Sequence, residues 1–387
     1  MRKICFVTGT RAEYGILSRL MRMVADDSEL QLQIIATNMH LMPEYGNTYK
    51  EIEADGFTID KKVYMPKPSD DATGIVLSMA EEMSSMTRAY SELSPDLIVL
   101  LGDRYEILVA AQVALLHRIP IAHIHGGEVT EGAFDDAIRH SVTKMSSLHF
   151  TSCEEYRRRV IQLGENPETV YNYGALGVEN VKSIPLMDKE ELETSLKFKL
   201  DDNTIIVTYH PATAGGSPLK DIEAFLAALD KFENLRVLFT MPNSDTGRDE
   251  IASAIEGYVS RHSDRSIAFT SLGLRRYLSA LKYVKAAVGN SSSGIIEVPS
   301  FGIPTLNIGI RQKGRLMPES VVNCGTSTEE IVSSLNLCLS EEFRKKVFEI
   351  HNPYEMANTA ERILNVLKTV DLKSLQMKSF FDHSFKY

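Results

Sequence analysis

The chain has 387 residues, 43% of them apolar, and its 42 Lys and Arg stand against 52 Asp and Glu for a formal net charge of −10. That length suggests two domains, and the acidic balance argues against a nucleic-acid binder, which would present a basic surface. No apolar run approaches the roughly 18 residues of a membrane span, and Met1-Arg2-Lys3-Ile4-Cys5-Phe6-Val7 is too short before its first glycine for a signal peptide.

In the first half, strands are expected at 4–8, 32–37, 97–101, 119–124, 148–151 and 170–173. Helical patterns near 15–26, 73–92, 105–117, 135–146 and 154–163 separate them. Continuous apolar strands alternating with helices imply a parallel sheet covered on both faces. The second half restarts the pattern with strands at 205–208, 237–240, 267–270, 286–288 and 305–308. Its helices fall near 218–232, 247–261, 274–284, 294–300, 327–339 and 341–350. Charged residues 182–203 interrupt the alternation, which places the linker near 177–190. A last helix near 357–370 precedes a polar and aromatic tail. Cys5, Cys153, Cys324 and Cys338 show neither metal-ligand spacing nor a paired motif, and read as reduced thiols of a cytoplasmic protein.

In doubly wound sheets ligands sit at the carboxyl ends of the strands, so those ends carry the functional reading. The first turn is Thr8-Gly9-Thr10-Arg11-Ala12-Glu13-Tyr14-Gly15. A nicotinamide fold would want glycines at the first, third and sixth positions, and Arg11 stands where one is needed. The second strand ends in Thr37-Asn38, without the acid that would hold a ribose. Arg11 at a helix head instead suggests a phosphate clamp; the alternative is a surface arginine paired with Glu13.

Three further strand ends carry titratable groups. Leu101-Gly102-Asp103-Arg104 sets a carboxylate past an apolar strand. His123-Ile124-His125-Gly126-Gly127-Glu128 sets two imidazoles and a carboxylate past the next. Phe134-Asp135-Asp136-Ala137-Ile138-Arg139-His140 opens a helix with two acids. Asp103, Asp135 or Asp136 taken singly is as well explained as a helix cap, and His123 as a satisfied core histidine. Their convergence at adjacent strand ends points to one catalytic pocket. His123 and His125, on one strand face with Glu128 and Asp103 nearby, raise a zinc alternative, but a diphosphate ligand needs no metal.

In the second half the strand at 286–288 feeds Gly289-Asn290-Ser291-Ser292-Ser293-Gly294-Ile295-Ile296-Glu297. A strand running through small residues into a helix start gathers unpaired N–H groups and the positive end of a helix dipole, which suits a diphosphate. The three serine hydroxyls add donors, and Glu297 is placed to accept from a ribose hydroxyl. The plainer alternative is a well-capped helix of any α/β domain. His210 in Tyr209-His210-Pro211, Asn243 after Met241-Pro242, and Arg311 after Ile308-Gly309-Ile310 lie at other strand ends of this half. His210 reads either as an acid–base or phosphate contact or as a turn histidine.

Taken together and in order, the motifs 7–15, 101–104, 123–128, 135–141, 209–211, 290–300 and 308–315 resemble the hydrolysing UDP-N-acetylglucosamine 2-epimerases, particularly the capsule-type bacterial members. The resemblance implies an α/β, GT-B-like fold of two Rossmann-like parallel-sheet domains around a central cleft. It implies an N-terminal domain over 1–180 on the sugar side, a UDP-binding domain over 181–356, and a helix and tail, 357–387, that return to the first domain. It implies that Ser291, Ser292, Ser293, Glu297 and Arg311 hold diphosphate and ribose, with Arg11 and Asn243 as further contacts. Asp103, Asp135 and His210 match catalytic positions, and Arg139 matches a substrate-contacting arginine. Many relatives carry a carboxylate where this chain has His125, so the acid–base role there falls to His125 or to Glu128. No cofactor is called for, the expected partner is a UDP-sugar, and the expected assembly is a homodimer or homotetramer.

The reaction so implied takes UDP-N-acetylglucosamine and water to UDP and N-acetylmannosamine. The C2 proton has no adjacent carbonyl to acidify it, so the bond from C1 to UDP must break ahead of proton loss. Donors fixed around the departing diphosphate stabilise its charge. Water then adds across the resulting glycal with a second acid–base pair. The same reaction on a UDP-linked 2,4-diacetamido-trideoxy sugar is the near alternative. A GT-B glycosyltransferase and a non-enzymatic nucleotide-sugar sensor are the more distant ones.

Overall fold

In a computed structural model the described residues are 1–66, 72–131, 134–211, 217–242 and 247–382. They form two compact units. The first comprises Met1–Glu128, Phe134–Asn180 and Met356–Tyr387; the second comprises Val129–Ala133 and Val181–Glu355.

The first unit is a seven-stranded sheet built from β1 (Arg2–Thr8), β2 (Leu30–Thr37), β3 (Lys61–Val63), β4 (Leu97–Leu101), β5 (Ile121–Ile124), β6 (Leu148–Thr151) and β7 (Val170–Asn172). Their order is β3-β2-β1-β4-β5-β6-β7, with every pairing parallel. Side chains alternate across the sheet. Ile4 and Phe6 of β1 enter one core layer with Leu17, Leu20 and Val24. Cys5 and Val7 enter the other with Tyr90, Val109 and Val113. Each layer contributes enough buried apolar surface to hold one face of helices on the sheet. The helix Thr359–Thr369 packs Ile363, Val366 and Leu367 into the first layer. Arg2 donates to Leu367 O at 2.6 Å and Val370 O at 2.8 Å, capping that helix's last carbonyls.

The second unit repeats the plan with β8 (Thr204–Thr208), β9 (Arg236–Thr240), β10 (Ser266–Phe269), β11 (Ala286–Gly289), β12 (Thr305–Ile308) and β13 (Val321–Cys324). The order is β10-β9-β8-β11-β12-β13, again all parallel. Ile205 and Val207 face one core layer, Ile206 the other. The observed class is therefore the expected one, α/β with two Rossmann-like parallel-sheet domains. The edge strands β3 and β13 were not expected, because Lys61-Lys62 and the half-exposed Val321 to Cys324 lack the apolar run of a central strand. The charged stretch 182–203 contains a helix, Lys189–Leu196, begun by Asp188 accepting from Glu191 N at 2.8 Å.

In each sheet the strand order reverses between two neighbours, β1 and β4 in the first unit and β8 and β11 in the second. The crevice beyond the carboxyl ends of such a pair is where α/β sheets bind ligands.

Candidate active site

In the first unit, Arg139 organises the strand ends. It lies on the helix Phe134–Met145 and is 1% exposed. Its Nη2 pairs with Asp103, just past β4, and its Nη1 donates to Asp136 Oδ1 at 2.9 Å and to the Glu128 carbonyl at 2.9 Å. One guanidinium therefore fixes the turns after β4 and β5 and the start of a helix, using the fork geometry that lysine lacks. Neither Asp135 nor Asp136 is an N-cap; both lie within the first turn of the helix. Asp136 takes Arg139 Nη1 and also lies 3.4 Å from His140 Nε2.

His125 and Glu128 are not alternatives at distant points but neighbours. His125 Nδ1 lies 3.4 Å from Glu128 Oε1, and that oxygen also accepts from Ser152 Oγ at 3.2 Å. Both side chains are buried. β5 ends at Ile124, and His125 takes φ +66°, which turns its ring out of the strand's alternation. The zinc reading placed His123 and His125 on one strand face, and this turn overturns it. His123 instead lies 3.1 Å from Thr143 Oγ1 and 3.2 Å from the Gly102 carbonyl. Burial pushes its imidazole down to about 3, so it is a neutral core histidine that props the turn before Asp103. Among the described residues, no group of three or more His, Cys, Asp or Glu could hold a metal ion.

Arg11 begins the helix Arg11–Asp26 and is half-buried. The alternative that it pairs with Glu13 does not describe where Glu13 points. The Glu13 carboxyl is 6% exposed and accepts from Gly9 N at 2.8 Å and Thr10 N at 3.2 Å, while Thr10 Oγ1 accepts from Glu13 N, a reciprocal capping box.

In the second unit the corresponding organiser is Asn290, 2% exposed. Its side chain accepts from His210 N at 2.7 Å and donates to His210 O at 2.8 Å. Its carbonyl accepts from Arg311 Nη1 at 3.2 Å and Gln312 Nε2 at 2.8 Å. The backbone reaches this position through Gly289 at φ +134°, where a Cβ would lie 2.0 Å from the Thr208 carbonyl; only glycine allows that approach. Asn290 thus joins His210, the serine turn and Arg311. Its amide was visible in the motif, but a bidentate bond to a residue 80 positions away leaves no trace in sequence spacing.

The serine turn differs from expectation in one respect. The helix after it, Ser293–Ile296, has four residues and gives way at Glu297 to a 3-10 turn, Val298–Phe301, with Pro299 inside it. Pro299 has no N–H to continue the helical ladder. A single turn sums few peptide dipoles, so the expected helix-dipole contribution is small here. Ser292 at the N-cap makes no side-chain cap bond. Ser293 Oγ accepts from Tyr277 OH at 2.8 Å, and Ser291 Oγ accepts from Ser293 N at 3.4 Å. Glu297 closes the turn, half-buried. Asn243 lies outside the described residues.

The chain matches the family described as UDP-N-acetylglucosamine 2-epimerase over residues 22–368. It is 41% identical over 383 residues to a Campylobacter jejuni "GDP/UDP-N,N'-diacetylbacillosamine 2-epimerase (hydrolyzing)", covering 98% of this chain and 99% of the relative. It is 41% identical over 386 residues to the Escherichia coli "polysialic acid biosynthesis protein P7", covering 99% and 98%. In fold it is similar to the Neisseria meningitidis UDP-GlcNAc 2-epimerase solved with UDP-GlcNAc, with TM-score 0.79, 19% identity and coverage of 94% of this chain and 99% of that one. From these matches the chain belongs to the hydrolysing UDP-N-acetylglucosamine 2-epimerase family and is a UDP-sugar 2-epimerase of the hydrolysing type.

Proposed function

We propose that this enzyme converts UDP-N-acetylglucosamine and water to UDP and N-acetylmannosamine, by eliminating UDP to a 2-acetamidoglucal and rehydrating it. The observation that carries the reading is the Arg139 anchorage, which holds Asp103, Asp136 and the Glu128 turn in one place. Two steps of proton transfer need several titratable groups with different surroundings, and the first unit supplies them.

In the first step the C1–O bond to UDP breaks ahead of C2–H. Positive charge grows at C1, which acidifies C2. Asp103 or Asp135 takes the proton, and its charge stabilises the cationic carbon. Charge accumulating on the diphosphate is met by Ser291, Ser292, Ser293 and Arg311, with Arg11 as a further cation and Glu297 on the ribose. In the second step a proton is delivered to C2 from the other face while hydroxide equivalent adds to C1. The His125–Glu128 pair is suited to this, since it sets an imidazole 3.4 Å from a carboxylate, two groups able to relay a proton. His210 is the other acid–base candidate. No metal or cofactor enters either step.

The test is a time course by NMR in deuterated water. Free manno-configured sugar with deuterium at C2 and equimolar UDP is the expected product, without any acceptor present. Product that keeps its C2 proton would exclude elimination, and a requirement for an acceptor would make the protein a glycosyltransferase. A second substrate is favoured by a specific observation: relatives at 41% and 32% identity are named as N,N'-diacetylbacillosamine 2-epimerases. Running the UDP-linked 2,4-diacetamido sugar in parallel decides between them by the ratio of kcat/KM.

A further inference from the structure

The first unit buries a carboxyl group that the reaction above does not use, at the point where its strand order reverses. Glu13 stands between the turns that end β1 and β4. One of its oxygens holds the Gly9 and Thr10 amides at 2.8 and 3.2 Å. The other points toward the second turn: a Cβ at Gly102, where φ is +94°, would lie 3.8 Å from Glu13 Oε1. Glu106, fully buried, occupies the space beside the first turn, where a Cβ at Gly9 would meet its Oε1 at 2.6 Å. Arg104 Nε donates to that same oxygen at 2.9 Å, while Glu106 Oε2 has no hydrogen-bond partner. The residue after the first turn's amides is Arg11, and the residue after Gly102 is Asp103.

We propose that Glu13 is a positioning residue for the reaction, its carboxyl group being the wedge that sets the turn carrying Arg11 against the turn carrying Asp103. The charged groups that act on it are Glu106 and Arg104 from the segment after β4 and Glu82 from the helix Ala72–Leu93. That set places three buried acids against few cations. Burial, and then the charge of Glu106, push the Glu13 carboxyl up to about 8. Glu82, with one oxygen on Thr37 Oγ1 at 2.9 Å and the other without a partner, is raised as well. A protonated Glu13 accepts both amides through one oxygen and keeps a hydrogen for its acidic neighbours.

Glutamine reproduces that neutral form, with its carbonyl on the amides and its NH2 toward the acids. Glu13→Gln is expected to keep kcat/KM within about three-fold of the parent and to remove an activity decline centred near pH 8. Glu13→Ala, which leaves both turns unsupported, is expected to lose about 100-fold, the scale of an ångström-sized misplacement. If the alanine variant does not fold, Glu13→Asp, which caps the helix but falls short of Gly102, takes its place and should lose at least about ten-fold. An alkaline limb unchanged in Glu13→Gln, or full activity in the alanine or aspartate variant, would overturn the proposal.

The kinetic arm rests on the reading of Arg11 and Asp103 as site residues, so a second arm uses no substrate. A carboxyl group whose folded pKa is raised contributes stability at low pH that is lost as pH rises through the folded value. The melting temperature of Glu13→Gln should therefore match the parent near pH 5, pull ahead as pH rises, and exceed it by roughly 10 °C at pH 8 and above. A difference that stays constant with pH sinks the wedge's protonation even if the enzyme is active. The stability crossover without catalysis on either sugar would retain the wedge and reject the proposed reaction.

Discussion

Both units have their strand-order reversal fastened by one polar side chain, Glu13 between β1 and β4 and Asn290 between β8 and β11. The surroundings of the two fasteners differ in kind. Besides Glu13 the first unit buries Glu82, Glu106, His40, His123, His125, Glu128 and Arg139. In the second unit, among the described residues, His210 is the one buried side chain that is acidic, basic or histidine; the rest are hydroxyls and amides such as Asn290, Ser279, Asn307 and Gln312. Proton transfer needs groups whose charge changes during turnover. Stabilising a departing diphosphate needs donors already in place and indifferent to pH. On the proposed function, pH dependence should therefore follow the first unit and leaving-group affinity the second.

Removing Arg139 should separate the units most sharply. Arg139→Met removes the charged hydrogen bonds to Asp103 and Asp136, both partly exposed, at a cost of about 1.5–3 kcal/mol each. Two calorimetric transitions are expected, with only the first unit's shifted downward, and activity reduced by at least about 1000-fold. Arg139→Lys keeps the charge and loses the fork, and should fall between. A Met variant that melts like the parent would mean that the first unit's strand ends are not held by charge.

Asn290→Ala is the matching change in the second unit and should be milder. It removes both side-chain bonds to the His210 backbone, at a cost of about 2–3 kcal/mol. UDP affinity measured by calorimetry should drop about ten-fold as the turn carrying His210 shifts, while Arg311, bonded to the backbone carbonyl of residue 290, keeps that partner. The shape of the pH–rate profile should not change. A moved profile would place a titrating group of the reaction under Asn290's control and blur the comparison.

How much of this was open to sequence reading follows the same division. Strand ends were legible in both halves because apolar runs stop at glycine, and Gly102 and Gly289 do adopt positive φ. The sheet of the second unit, with its serine turn, was legible because hydroxyls and glycine crowd one short segment. The joining of Asp103 and Asp136 by Arg139, the contact of His125 with Glu128, and the inward course of Glu13 were not. Each depends on which way a side chain turns in a packed core, and partners such as Asp103 for Arg139 and Ser152 for Glu128 lie 36 and 24 residues away in the chain. The short helix after the serine turn was misjudged for a simpler reason: Pro299 was visible, but the helix was still extended through it.

The smallest expected effect is on stability in mild acid, and it too falls on one unit. Burial holds the His123 imidazole down at about 3 and His40 at about 4, and lowers His149 as well. All three belong to the first unit. A histidine that is neutral when folded takes up a proton on unfolding once pH falls below its ordinary value near 6.5. Its contribution is therefore complete at neutral pH and is lost as pH falls toward the folded value. Between about pH 7 and 6 each such imidazole should cost the first unit roughly 0.5 kcal/mol, growing as pH falls further. The first calorimetric transition should accordingly drop faster than the second on mild acidification, and His123→Asn should reduce the slope without moving the second transition. Glu13 acts in the opposite sense, losing its contribution as pH rises through about 8. That loss accrues over the whole span from the ordinary carboxyl value near 4.5, so on mild acidification Glu13 offsets part of the imidazole cost and Glu13→Gln should steepen the acid slope of the first transition. Equal acid slopes for the two transitions would show that these buried imidazoles do not set it.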